Sequence, residues 1–275
     1  IKGLVAEVGL HITERVNTGN PLTMREVKKM AQEYSELAEL SDTDLQELVE
    51  LAMTKLARTV ARKGIDGTSV EQKAAYDKIV SYYNAQPSLN ARDSERLIKQ
   101  QYSTPTPFGY VMGQFVQAGG KKVDSMLEPS AGNGALTITV NPSVVQVNDI
   151  DDARLANLRR LGYGKVTAQD ALLPFNGEKA DVVMTNPPFG TVTEKVYDGV
   201  FHISSLEGQM AINALEQMKD DGRAAIVIGG NTSYRTNGSM NPKDAAFFGY
   251  LYSHYNVVDV ININGIALYS RNGTG

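Results

Sequence analysis

Along residues 1–100 apolar side chains recur every three or four positions, the spacing that gathers them on one face of a helix. The stretch holds 5 of the 25 glycines and 2 of the 10 prolines, so little interrupts that periodicity. "TMREVKKMAQEY" sets Thr23 and Glu26 at capping-box spacing, and "SDTDLQELVELAMTKLARTVARK" follows Ser41 with a stripe at Leu45, Leu48, Val49, Ala52 and Leu56. A third helix is predicted from Val70 to Tyr83, and "NAQPSLNARDSE", residues 84–95, reads as a linker. The pattern predicts an all-helical N-terminal domain over 1–98 whose stripes pack on one another or on the rest of the chain.

From about residue 100 the pattern changes to short β-branched runs separated by glycine turns and helical stretches. The predicted strands are "DSMLEPS" (124–130), "VVQVNDI" (144–150), "KVTAQD" (165–170), "ADVVMTNPP" (180–188), "AAIVIGG" (224–230) and "VVDVINI" (257–263). Between them lie helical patterns such as "ARLANLRRLG" and "LEGQMAINALEQMKDDG", the second predicted to stop at Gly222. Strands alternating with helices predict an α/β fold with a parallel, doubly wound sheet over 99–275. In such sheets ligands bind beyond the carboxyl ends of the strands, which is where chemistry should be sought.

Composition narrows that chemistry by exclusion. The 275 residues contain no cysteine, which removes disulfides, zinc–thiolate sites and thiol nucleophiles. His11, His202 and His254 have no metal-ligand spacing, so no metal site is predicted. The net charge of -4 leaves no global electrostatic footprint for nucleic acid, although a local basic groove fits within an acidic total. No run of 18 apolar residues and no secretion signal is present, so no membrane partner is predicted and a cytoplasmic protein is the expectation. Beginning at Ile1 and stopping in the turn-like "SRNGTG", the chain reads as a piece of something longer.

The strand ends carry the candidate residues. The first closes in "LEPSAGNGAL", where Glu128 is followed by Gly132 and Gly134 and then by a short, β-branched helical stretch ending at Pro142. Paired glycines there let backbone approach a ligand, a feature shared by sites for dinucleotides, flavins and S-adenosylmethionine. The second closes in "VNDID", roughly twenty residues on, where an acid can accept the hydroxyl protons of an adenosine ribose; Asp149 is the candidate, with Asp151 reading equally as a helix cap. The third closes at Asp170 before Ala171, where a carboxylate could accept from an adenine amino group and the backbone could meet the ring edge, although an Asp at a strand end is by itself more often a cap. The fourth closes in "TNPPFG". Asn186 brings a side-chain carbonyl, Pro187 a main-chain carbonyl on a fixed φ, Pro188 further rigidity and Phe189 a flat apolar face. Two rigid acceptors beside an aromatic plate suit a planar amine, whose nitrogen becomes a better nucleophile when its protons are accepted.

In that order, "QQYSTPTPFGYVMGQF", "LEPSAGNGA", "VNDID", "QDALLPF" and "TNPPFG" resemble the motifs of gamma-class DNA N6-adenine methyltransferases, including the modification subunits of type I restriction systems, over about residues 99–265. The resemblance implies a Rossmann-like S-adenosyl-L-methionine-dependent methyltransferase domain acting on a flipped-out adenine in DNA. Tyr102, Thr104, Pro105, Glu128, Gly132 and Gly134 would then surround the methionine end of the cofactor, Asp149 the ribose and Asp170 with Ala171 the adenine. Asn186 and the Pro187 carbonyl would bind the target amine, Pro188 would stiffen the turn and Phe189 would stack on the base. The family's sheet closes with an antiparallel hairpin, so the domain is expected to stop before its last strand. It further implies a sequence-recognition or helicase domain outside these residues. Two alternatives stay open: methylation of an RNA base amine or a protein glutamine, and a catalytically silent binding module.

Overall fold

The computed structural model describes residues 1–89, 103–229 and 237–272. Four helices come first: α1 (Lys2–Arg15), α2 (Met24–Gln32), α3 (Asp42–Gly64) and α4 (Ser69–Ala85). The capping box of α2 forms as its spacing predicts, the Thr23 hydroxyl accepting from the Glu26 N–H while Glu26 accepts from the Thr23 N–H. Ser41 caps α3 in the same way through the Asp44 N–H. From Leu45 to Thr54 every residue of α3 is buried, polar ones included. A helix in that position has no solvent face on which to leave Glu47 or Glu50, so both must find partners inside.

After α5 (Thr106–Gln117) the sheet begins: β1 (Met126–Glu128), β2 (Val145–Asn148), α6 (Asp152–Arg160), β3 (Lys165–Thr167), β4 (Ala180–Thr185), then β5 (Thr191–Tyr197), β6 (Phe201–Ser205), α7 (Leu206–Leu215) and β7 (Met218–Ile226). Strand order in the main sheet is β3-β2-β1-β4-β7, with every pairing parallel. The chain order reverses between β1 and β4, which opens a crevice beyond their carboxyl ends. The expected α/β architecture is therefore present, and α3 and α4 share one continuous core with the sheet, Leu51 and Met53 in the same apolar cluster as Val147, Val182 and Met184. Burying such a side chain contributes on the order of 1.5–3 kcal/mol, which ties the helices firmly to the sheet.

Three sequence expectations are corrected. The strand predicted over 257–263 does not form; the segment between α8 (Pro242–His254) and α9 (Gly265–Leu268) is irregular, with Val258 90% exposed. A strand needs a neighbour for its N–H and C=O groups, and among the described residues none lies beside this one. The helix expected after the glycine loop is a single 3-10 turn, Ala135–Thr137. There the Thr137 hydroxyl donates to the Gly134 carbonyl at 3.2 Å, and the β-branched run that follows disfavours a helix. Finally, α7 stops at Leu215 rather than at Gly222, because Met218 already pairs with Ala180 at the start of β7, with a bulge before Arg223 meets Val182.

The antiparallel β5–β6 hairpin was not among the predicted elements. Its signal was present in the sequence: Asp198 and Gly199 join two β-rich runs and both take positive φ, 52° and 71°, as a tight hairpin turn requires.

Candidate active site

A cavity of about 600 Å³ opens at the reversal point, within the range of about 300–1,000 Å³ typical of small-molecule sites. Its walls bring together Thr104, Pro105, Gly132, Asp149, Asp170, Ala171, Asn186, Pro187, Pro188 and Phe189, all singled out from sequence. Two predicted residues, Glu128 and Gly134, are outside this lining, and Tyr102 lies outside the described residues.

The glycine loop turns through positive φ at both glycines, 54° at Gly132 and 78° at Gly134. At Gly134 a Cβ would sit 2.1 Å from the Tyr163 hydroxyl, so its role is packing beneath the loop. Glu128 is wholly buried; one carboxyl oxygen accepts from the Ser130 N–H at 3.2 Å, and among the described residues Oε2 has no hydrogen-bond partner. Burial, reinforced by Asp149, pushes this carboxyl well above its ordinary value of 4.5. The folded chain therefore holds the proton more tightly than the unfolded chain does. That contribution to stability is complete below 4.5 and is lost as pH rises toward the elevated value. Glu128→Gln, neutral at every pH, should melt about 3–6 °C above the parent at about pH 8, with the gap closing near pH 4; thermal unfolding at both pH values checks this.

Asp149 is 7% exposed. Its Oδ2 accepts from the Gly132 N–H at 2.8 Å, and its Oδ1 from the Ile150 and Asp151 N–H groups at 2.8 and 2.9 Å. It thus locks the glycine loop to the end of β2 while lining the cavity. Asp151 is the helix cap, accepting from the Ala153 and Arg154 N–H groups. Asp170 accepts from the Leu172 N–H at 2.9 Å, and the Ala171 carbonyl from the Asn213 amide at 3.0 Å, which together order the turn after β3.

Asn186 ends β4. Its Nδ2 donates to the Thr104 hydroxyl at 2.9 Å and to the Tyr269 hydroxyl at 3.3 Å, so both amide hydrogens are engaged and Oδ1 is the group left to accept. Phe189 lies against Gly229, where a Cβ would come within 2.8 Å of the ring, so a glycine is needed for the ring to sit there. Tyr269 follows α9 and is held from the N-terminal helices: the Tyr83 hydroxyl on α4 donates to the Leu268 carbonyl at 2.9 Å and accepts from the Arg271 N–H at 3.0 Å. Burial raises the Tyr269 phenol above its ordinary value. Tyr269→Phe removes one of two anchors, so the melting temperature should fall by about 1–5 °C, checked by thermal unfolding.

One wall escaped sequence reasoning entirely. Glu50, Met53 and Thr54 of α3 line the cavity beside Arg154 of α6. The Thr54 hydroxyl donates to the Asn133 carbonyl at 2.9 Å, and the Asn133 amide donates to Glu47 and, at 2.6 Å, to Glu50. The Asn157 amide donates to Asn133 Oδ1 at 2.9 Å, and Arg154 Nε pairs with Glu47 at 3.3 Å. The tip of the glycine loop is therefore gripped by helix residues 83 and 86 positions earlier in the chain, a contact that helical periodicity alone cannot reveal. Among the described residues no group of His, Asp or Glu could hold a metal ion, and no helix is long and apolar enough to cross a membrane.

No family model and no curated protein matches this chain. Solved structures similar to it include DesVI of Streptomyces venezuelae (14% identity, TM-score 0.32, 44% of this chain and 49% of that one). A protein of Listeria monocytogenes described as a class I S-adenosylmethionine-dependent methyltransferase is 14% identical, with a TM-score of 0.41 over 82% of this chain and 71% of that one. Coclaurine N-methyltransferase bound to N-methylheliamine and SAH is 16% identical, with a TM-score of 0.32 over 74% and 61%. The chain spans less than two thirds of the length of DesVI and of the coclaurine enzyme. Likenesses this distant carry no argument about chemistry, which rests on the residues themselves.

Proposed function

We propose that this chain is an S-adenosyl-L-methionine-dependent methyltransferase that acts on the exocyclic N6 amine of a flipped-out adenine in DNA. The observation that carries the reading is Asn186, whose amide hydrogens are engaged by Thr104 and Tyr269 so that its oxygen is left to accept, in the same cavity as the glycine loop. The cavity suits the cofactor on its own chemistry. Gly132 presents no side chain, Asp149 stands at the end of β2 for a ribose and Asp170 at the end of β3 for an adenine amine. When bound, S-adenosyl-L-methionine supplies an electrophilic methyl group. Asn186 Oδ1 and the Pro187 carbonyl accept the two N–H bonds of the target amine, leaving more electron density on its nitrogen, and Phe189 stacks on the base. No thiol enters this chemistry, in keeping with a chain that has no cysteine.

DNA is accordingly the proposed substrate, with sequence recognition assigned to a domain outside these residues. Labelled methyl transfer by the longest natural chain that contains these residues, to unmethylated DNA, RNA and cell protein in parallel, followed by digestion of the products, tests the reading. N6-methyladenine from DNA is the expected product. Label confined to an RNA base or to glutamine would overturn the substrate, and no label in any of the three would overturn the transfer.

A further inference from the structure

The cavity is lined by charges of both signs. Near β2 and β3 it presents the carboxylates of Asp149 and Asp170, which suit hydroxyl and amino groups. Beside the glycine loop it presents Glu50 and Arg154, and Arg154 is the one cationic side chain among the described lining residues. Both are deeply buried, 9% and 4% exposed, where a charge is costly unless it is paired. Arg154 uses Nε on Glu47 and reaches the Ser103 hydroxyl with Nη2 at 3.5 Å, a long contact that, among the described residues, leaves most of the guanidinium fork for another acceptor. Its Nη1 is the nearest atom to the position a Cβ would take on Gly132, at 3.9 Å, so the fork stands against the open face of the loop. Glu50 meets the neutral Asn133 amide at 2.6 Å.

Resting on the reading of the cavity as a site for S-adenosyl-L-methionine, we infer that Glu50 and Arg154 receive the ammonium and carboxylate groups of the cofactor's amino-acid end. One carboxylate and one guanidinium are the complement of an α-amino-acid zwitterion. Glu47 and Asn133 act as positioning residues, holding Arg154 and Glu50 respectively. The N-terminal helices are thereby part of the cofactor site, because α3 contributes one of its charges.

Two nucleosides separate this assignment from the reading it rests on. S-adenosylhomocysteine carries the amino-acid end, and 5′-methylthioadenosine keeps the adenosine and sulfur without it. Their binding to the parent chain, Glu50→Gln and Arg154→Lys is measured by calorimetry. Both substitutions keep size or charge, and thermal melts confirm that each variant is folded. Each variant should lose about tenfold or more in affinity for S-adenosylhomocysteine and less than about twofold for 5′-methylthioadenosine. Equal losses for both nucleosides, or no loss for either, would overturn the assignment while leaving the cofactor reading in place. If the parent chain binds neither nucleoside, the cofactor reading itself fails.

Discussion

Asn186→Ala is expected to cut methyl transfer about 10²-fold or more while leaving the affinity for S-adenosylhomocysteine within about twofold of the parent. The expectation follows from what the side chain does in the folded protein. Its hydrogens bond Thr104 and Tyr269, and its oxygen is the acceptor for an amine that must become more nucleophilic as the methyl group arrives. An interaction of that kind grows toward the transition state, so its loss falls on the rate rather than on cofactor binding. Single-turnover kinetics with separate calorimetry reads the two quantities independently. A collapse in cofactor affinity would instead assign Asn186 to holding Thr104 and the segment around it.

Asp149→Ala should behave in the opposite sense. Cofactor affinity is expected to fall by about 1.5–3 kcal/mol, roughly 10- to 100-fold, with a smaller effect on turnover at saturating cofactor. Two losses contribute. The ribose would lose a charged acceptor, and the Gly132, Ile150 and Asp151 N–H groups would lose the carboxylate that fastens the glycine loop to β2. A ligand without the ribose hydroxyls separates them. If Asp149→Ala costs the 2′,3′-dideoxy analogue of S-adenosylhomocysteine much less affinity than it costs S-adenosylhomocysteine itself, the loss belongs to the ribose; an equal cost assigns it to the loop. Unchanged affinity for both would remove Asp149 from the cofactor site.

Much of this was legible in the chain because the relevant signals are local. The capping box at Thr23 and Glu26 is satisfied within one turn, so spacing alone specified it. The residues closing β1 to β4 are adjacent to short apolar runs, and parallel strands bring their carboxyl ends to one edge whatever the details of packing. Where the local signal was weak, the reading missed: the run at 257–263 has strand-like composition, yet composition cannot supply a neighbouring strand. The β-branched run after Gly134 was read as helix, but the Thr137 hydroxyl and crowded Cβ atoms leave only a 3-10 turn. Glu128 and Gly134 occupy the motif positions in the chain, yet full burial leaves one outside the cavity lining and close contact with Tyr163 gives the other a packing role.

By itself the sequence determined the alternation of strands and helices, the caps of α2 and α3, the glycine loop and the order of groups along the strand ends, all properties of residues close together in the chain. Only the tertiary structure decided that α3 forms a wall of the cavity, that Asn133 is held by Glu47 and Glu50, and that Tyr269 reaches back to Asn186 across 83 residues. Each of these is a polar group brought to a partner far away in the chain. Burial excludes water from such groups, so the fold must supply the partner, and no pattern of neighbouring residues says which one it will be.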